Sequence, residues 1–279
     1  MSGRFNRFKG FGFLLLLAAG CHRAPAPAPP PVRPSILLIT LDTTRADAIG
    51  PDAAGVATPA FNAIAARGRR FRQAYATVPE TLPSHISMMT GLYPAGHGVH
   101  ENARYLAASV PVAAERLQQA GYRTSAFVSS FVLSRRFGLA RGFDVYADTL
   151  GAANERTSRQ TTDAALADLA AGSDKPRFLW VHYYDAHYPY APPEPFSSQY
   201  GTNTYLGEIA AMDEQLGRLV KAFEEQTKGP AAVAVVADHG EGLGDHGEAQ
   251  HGDLLYQSTM HVPLVLAGPG VDEIGRAHV

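Results

Sequence analysis

The chain has 279 residues, 46% of them hydrophobic and 18% charged, with a net charge of −2 and an isoelectric point near 6.6. This is ordinary globular material, enough for one large α/β domain or two small ones, and the near-neutral balance excludes the electrostatic footprint of a nucleic-acid binder. Cys21 is the only cysteine, which excludes an internal disulfide.

The N-terminal stretch MSGRFNRFKGFGFLLLLAAGC carries Arg4, Arg7 and Lys9, then an apolar run from Phe11 to Ala19, then Gly20 and Cys21. A basic segment ahead of a short apolar one reads as a secretory signal, and the run falls short of the roughly 20 apolar residues of a membrane-spanning helix. LAAGC is similar to the bacterial lipobox, so residues 1–21 are read as a lipoprotein signal with Cys21 lipidated. Such a chain is tethered to a membrane without spanning it. The Pro/Ala-rich stretch HRAPAPAPPPVRP (22–34) favours extended polyproline geometry and reads as a spacer. A bacterial cell envelope, on the periplasmic or extracellular face, is the expected location.

SILLITLD (35–42) is a continuous apolar run ending in a carboxylate, as in a strand buried on both faces, and the C-terminal ends of such strands are where α/β sheets place ligands. TPAFNAIAARG (58–68) reads as a helix with Thr58 as N-cap, Pro59 in the first turn and Gly68 as terminator. FRQAYATV alternates like a strand, and VPVAAERLQQAG (110–121) reads as a helix leading into the strand YRTSAFVSS. TSRQTTDAALADLAAG (157–172) is a further helix, followed by the strand RFLWVHYYD (177–185). The longest amphipathic helix is YLGEIAAMDEQLGRLVKAFEEQ (205–226), which runs into a second carboxylate-ended strand, AAVAVVADHG (231–240). HVPLVLAG (261–268) is the last strand, and alternating strands and helices predict a mostly parallel sheet with helices on both faces. The tail EIGRAHV adds no apolar pattern, and a reverse translation of it can be written that matches a widely used sequencing adapter. Residues 273–279 are therefore expected to be non-native, with the natural protein continuing beyond 272.

Three strand ends carry Asp: Asp42, Asp185 and Asp238. Six of the eleven histidines, His182, His187, His239, His246, His251 and His261, lie between residues 182 and 261, several beside those aspartates in YDAHYPY and ADHGEGLGDHGEAQHG. Imidazole plus carboxylate without thiolate is the ligand set of Zn, Mn or mixed Ca/Mg sites rather than of structural zinc.

LDTTRAD, TLPSHISMMTGLYPAGHGV, YDAHYPY, ADHGEGLGDHGE and HGDLLYQSTMHVPLVLAGPG follow one another here in the order seen in the sulfatase family of the alkaline phosphatase superfamily, and GFDVYAD and YLGEIAAMDEQLGRL also resemble sulfatase segments. The resemblance covers roughly residues 35–270. It implies an alkaline-phosphatase-like α/β fold over 35–272, lacking a smaller C-terminal region. It also implies a divalent metal (Ca, or Zn or Mn; one ion or two) held by Asp42, Asp238 and His239, with a nucleophile nearby. The family keeps its nucleophile at the first position of a Cys/Ser-x-Pro-Ser-Arg motif, which here reads Thr81-Leu82-Pro83-Ser84-His85, so Thr81 takes that place. Asp185, His187 and His251 map onto segments that supply either a second metal, with Asp185 as a ligand, or contacts to the sulfuryl or phosphoryl oxygens, with His187 and His251 as catalytic groups. The chain departs from arylsulfatases in having Thr43 after Asp42, where they often carry a second Asp, and His251 near their Lys.

Sulfatases oxidise their Cys or Ser to formylglycine, whose hydrate expels sulfate by collapsing to the aldehyde. Thr81 carries a methyl on Cβ, so oxidation gives only a ketone, and the motif's Arg is His85; formylglycine is not expected. A threonine alkoxide at a divalent metal remains a good nucleophile, and a phospho-threonine can be hydrolysed by an activated water whereas a sulfo-threonine has no hydrate to collapse. The sequence thus predicts an ester hydrolase of the sulfatase type, acting on a small-molecule, glycan or lipid sulfate or phosphate/phosphonate ester, with phosphoryl esters favoured. A transferase acting on envelope components and a non-catalytic binding lipoprotein are the alternatives. His182 and His261 are read as structural. His85 and His246 stay open, as does Arg45, between anion contact and surface ion pair. Tyr188 and Tyr190 are read either as a substrate rim or as loop packing.

Overall fold

The computed structural model describes residues 33–271, together with Met1 and Gly3. The lipobox with Cys21, the spacer as far as Val32 and the tail from Glu273 lie outside the described residues. Seven strands form one sheet: β1 (Ser35–Leu41), β2 (Arg69–Tyr75), β3 (Arg123–Phe127), β4 (Val145–Ala147), β5 (Arg177–Tyr183), β6 (Ala231–Ala237) and β7 (His261–Ala267), in the order β2-β7-β6-β1-β5-β3-β4. From β6 to β4 all neighbours are parallel, while β7 runs antiparallel to both β6 and β2. The expected mostly parallel sheet is what the structure has, with β1 at its centre. Asp42 and Asp238 directly follow the last paired residues of β1 and β6, while Asp185 lies two residues beyond the end of β5.

The helices are α1 (Pro59–Arg67), α2 (Thr81–Thr90), α3 (Pro94–His97), α4 (Ala113–Gln119), α5 (Ser158–Ala170), α6 (Phe196–Tyr200), α7 (Thr204–Gln226) and α8 (Gln257–Met260). β1 is covered on both faces, which is why it reads as an unbroken apolar run. Leu37, Ile39 and Leu41 enter a core with Phe61 of α1, Leu169 of α5 and Ile209, Leu216 and Phe223 of α7. Ile36 and Leu38 pack against the other core, built from Leu82, Ile86 and Met89 of α2 with Phe178 and Trp180 of β5. Each such side chain contributes about 1.5–3 kcal/mol by leaving water, and Phe223→Ala would cost about 3–5 kcal/mol through the cavity it leaves.

The helix ends show where local sequence rules give way to long-range partners. Thr157 and Gln160 cap α5 reciprocally: the Thr157 N–H donates to Gln160 Oε1 (3.0 Å), and the Gln160 N–H donates to Thr157 Oγ1 (3.2 Å). Thr58 occupies the N-cap position of α1, but its Oγ1 accepts from the Gly50 N–H (3.0 Å) and makes no cap bond. The free N–H groups of Ala60 and Phe61 go instead to the Asp213 carboxylate of α7, each at 2.8 Å. Gly68 does follow α1, but in extended backbone. A Cβ there would meet Leu266 O at 2.1 Å, so glycine is required by the close approach of β7.

Candidate active site

Thr81 opens α2, and side chains from beyond the helix fix its first turn. The Leu82 N–H donates to Asn102 Oδ1 (2.9 Å), whose own backbone N–H donates to Glu80 Oε2 (2.8 Å). Ser84 Oγ donates to Asp238 O (2.7 Å), tying the turn to the end of β6. Thr81 is thereby buried with its Oγ1 3.3 Å from His239 Nε2.

Asp42, Asp238 and His239 are fully buried where β1 and β6 end side by side, and their ligand-type atoms lie within 4.8 Å of one another. His85, His182 and Asp238 form a second such group. Hydrogen-bond partners separate the two. His239 Nδ1 faces Gly240 O at 2.9 Å and must donate to it, which leaves Nε2 bare, 3.7 Å from Asp42 Oδ1 and 3.5 Å from Asp238 Oδ2. Those two carboxylate oxygens have no hydrogen-bond partner. Three buried lone-pair atoms converging with only the Thr81 hydroxyl as a donor fit a cation, and two carboxylates plus one imidazole beside a hydroxyl suit a catalytic divalent ion with an open position. In the second group the imidazoles are committed. The Ser129 N–H donates to His182 Nδ1 (3.4 Å), so His182 Nε2 carries the proton and donates to Asp42 Oδ2 (3.2 Å). His182 thus orients Asp42 and leaves Oδ1 for the ion, as partners behind metal ligands do.

The electrostatics of the first group express the same deficit. Burial and then the Asp42 charge push the Asp238 carboxyl well above the usual range. Burial pushes Asp42 up as well, yet the His182 hydrogen bond and the neighbouring imidazoles hold it below the usual range. Burial and then His251 lower His239 to about 3, so its Nε2 stays bare. Two carboxylates at this depth do not share a site as anions without positive charge between them.

His251 packs on His239, with ring centroids 4.3 Å apart, and its Nε2 meets His187 Nε2 at 3.3 Å. The outer nitrogen of His251, Nδ1, points at Pro79 O (3.1 Å), and that of His187 lies between Tyr188 O (2.7 Å) and the Tyr184 hydroxyl (2.9 Å). A proton on one of the facing Nε2 atoms makes their contact a hydrogen bond between the two rings. Glu241, which the sequence reading did not single out, is fully buried beside this pair; Tyr190 OH donates to its Oε2 (3.0 Å), and burial raises its carboxyl. Its signal was its place two residues after His239 in a strand-end loop.

Asp185 is not among these residues. Its Oδ2 accepts from the Ser158 N–H (2.6 Å) and its Oδ1 from Ser158 Oγ (2.8 Å) at the start of α5, and neither candidate group includes it. Burial raises its carboxyl to about 6. Arg45 is held by Asp47 and Asp245, each at 2.8 Å, so the ion-pair reading applies. His246 stacks on Tyr256 and His261 on Tyr75. Tyr188 is exposed, and Tyr190 packs on Tyr205. A cavity of about 650 Å³ opens beside His187, with Tyr184, Tyr188, Arg156, Phe196 and Glu208 in its walls.

The family model for Sulfatase matches residues 34–275. The chain is 20% identical to an uncharacterized sulfatase, YidJ, of Escherichia coli, with 85% of this chain and 63% of the relative aligned. It is 22% identical to a choline-sulfatase of Rhizobium meliloti, over 86% and 63% respectively. It therefore spans somewhat under two thirds of the length of these relatives. Among solved structures it superposes on a phosphonate monoester hydrolase of Agrobacterium radiobacter with a TM-score of 0.70 and 19% identity, over 84% of this chain and 68% of that one. The shared alkaline-phosphatase-like fold accounts for the arrangement of strands around the site.

Proposed function

The chain belongs to the sulfatase family, and from that premise we propose that it hydrolyses phosphate or phosphonate esters in preference to sulfate esters, with Thr81 as nucleophile. The observation that carries this reading is Thr81 Oγ1 facing the bare Nε2 of His239 at 3.3 Å, beside two unpartnered carboxylate oxygens. Asp42 Oδ1, Asp238 Oδ2 and His239 Nε2 would hold the divalent ion. When bound, that ion lowers the pKa of a neighbouring hydroxyl and offsets developing negative charge. Thr81 Oγ1, its proton given up to solvent water, attacks phosphorus as the bond to the ester oxygen breaks; a water then attacks phosphorus, the Thr81 O–P bond breaks, phosphate or phosphonate leaves, and a proton from that water returns to Oγ1. The departing oxygen takes the proton held between His187 Nε2 and His251 Nε2. The Cβ methyl of Thr81 leaves sulfate without the route that a formylglycine hydrate provides, which is why phosphorus is favoured. A name such as phosphonate monoester hydrolase among the structural neighbours agrees with that preference.

The test is a parallel assay of 4-nitrophenyl sulfate, phosphate, phosphate diester and phosphonate ester with Mn, Zn and Ca, comparing wild type with Thr81→Ala. Turnover of phosphorus esters that falls by at least about a thousandfold in Thr81→Ala is expected, a loss typical of a nucleophile. Efficient turnover of the sulfate alone would overturn the preference, and an active Thr81→Ala would remove the nucleophile. We also propose that the enzyme works at a bacterial envelope, anchored through lipidated Cys21. Cys21→Ser should then move it from the membrane to the soluble fraction, and unchanged fractionation would dismiss the anchor.

A further inference from the structure

His85 stands where the motif of the family carries arginine, and it lies at zero exposure with every polar atom engaged. The partners fix where its proton sits. The Trp180 indole can only donate, and its Nε1–H donates to Thr40 Oγ1 (3.0 Å). His85 Nδ1 faces Thr81 O at 2.7 Å, an acceptor only, so the proton of the neutral ring stands on Nδ1, and Nε2 accepts from the Thr40 hydroxyl (2.9 Å). The other neutral tautomer would aim a lone pair at that carbonyl. The result is a directed chain from β5 through β1 to α2: Trp180 to Thr40 to His85 to Thr81 O.

We propose that His85 is a positioning residue: protonated on Nδ1, it holds the Thr81 carbonyl and so sets the nucleophile-bearing turn of α2 over the Asp42, Asp238 and His239 group. Its Nδ1 is also 3.5 Å from Asp238 Oδ2, one of the atoms that Thr81 must face. The same turn is tied from the other side by Ser84 Oγ donating to Asp238 O, so α2 is fixed to both strands that carry the carboxylates. An arginine here would bring a permanent charge to a place with no exposed surface, beside Asp238 Oδ2, an atom that would hold the divalent ion. A histidine supplies the donor without the charge. This inference rests on Thr81 being the nucleophile.

The experiment separates the donor from the ring. Asn at 85 presents an amide N–H near the place of Nδ1, whereas Gln reaches the place of Nε2 and leaves Thr81 O without its side-chain donor. With the best ester of the panel, His85→Asn should keep kcat within about threefold, while His85→Gln and His85→Leu should lose about a hundredfold, the cost of an ångström-scale misplacement. KM and the affinity for the divalent ion should stay unchanged throughout. Equal losses in Asn and Gln, or a loss confined to KM, would overturn the assignment. Nitrogen-15 imidazole NMR of wild type at neutral pH, with and without Mn-free divalent ion such as Zn, gives a readout independent of turnover. It should show His85 protonated on Nδ1 and bare on Nε2, with that preference relaxed in Thr40→Val. An Nε2-protonated or doubly protonated His85 would refute the proposal even in a protein that turns over every ester. If no ester is turned over, the functional reading fails, and the NMR result alone decides whether His85 holds the carbonyl.

Discussion

Asp42, Asp238 and His239 are fully buried at the ends of two central strands, whereas His187 and His251 come from loops and are only half-buried. The first three form a floor whose positions follow from the register of β1 against β6, Leu41 pairing with Ala237. The two rim histidines are held by each other and by loop groups: Tyr184 OH and Tyr188 O at His187, Pro79 O at His251. A site built this way keeps its charge geometry in the sheet and leaves on loops the two histidines proposed to handle protons. The floor should therefore answer to measurements of metal affinity, and the rim to measurements of turnover.

The largest effect expected is on the floor. Asp238→Ala should reduce divalent-ion affinity by more than the roughly 10–100-fold that loss of an orienting partner costs, and abolish turnover; calorimetric titration with Zn or Mn checks this. Next comes the rim: His251→Ala should lower kcat by about 10²–10³-fold with the bound-metal content unchanged, as steady-state kinetics and elemental analysis would show. A variant that lost metal as well would erase the distinction between floor and rim. His182→Leu probes the layer beneath the floor. It leaves Asp42 Oδ2 without its donor, and ion affinity should fall about tenfold or more, with a smaller change in KM than in affinity for the ion.

The smallest effect sharpens the comparison from outside the site. Glu208 of α7 accepts from the Ala191 N–H (2.8 Å), has no partner on Oε2, and is raised by burial from 4.5 to about 8. The folded state thus binds this proton more tightly than the unfolded chain. Its contribution to stability is complete below pH 4.5 and is lost as pH rises towards 8. Glu208→Gln should flatten that decline and raise Tm at alkaline pH by about 2–4 °C, the equivalent of about 1 kcal/mol in a domain of this size. Thermal melts at several pH values would show it, and an identical pH slope in the variant would count against a protonated Glu208.

The strands were legible because their burial is local in the chain: two-faced cover leaves an unbroken apolar run at 35–41, and the long 3.6-residue pattern of α7 survives its tertiary setting. The floor was legible for the same reason, since Asp42, Asp238 and His239 follow such runs directly. What escaped were roles assigned by partners far along the chain. Asp213 reaches back 152 residues to the start of α1 and displaces Thr58 from capping. Ser158, 27 residues before Asp185, occupies both oxygens of a carboxylate that the sequence offers as a ligand. Asn102 satisfies the first turn of α2 from 20 residues away. No local pattern encodes these pairings, because each depends on how two distant segments come to lie together.

The segment from Gly240 to Thr259 closes on itself. The Gly240 N–H donates to Thr259 O at its mouth (2.7 Å), and the Gly242 N–H donates to Gln250 O within it (2.5 Å). A Cβ on Gly240 would meet Ser258 O at 2.0 Å and one on Gly242 would meet Glu248 O at 2.3 Å, so the two arms touch backbone to backbone. Inside, Glu248 Oε1 accepts from the N–H groups of Asp253 and Leu254. Because its ends meet backbone to backbone and Glu248 ties its interior, this loop behaves as a cassette. It delivers His251 to the site from the junction at Gly240 and Thr259, with outside ties from Arg45 to Asp245, from Tyr190 to Glu241 and from His251 to Pro79 O. Whole-loop exchange between relatives, keeping those two junction residues, is thus a more promising route to new chemistry on this scaffold than point substitution within the loop.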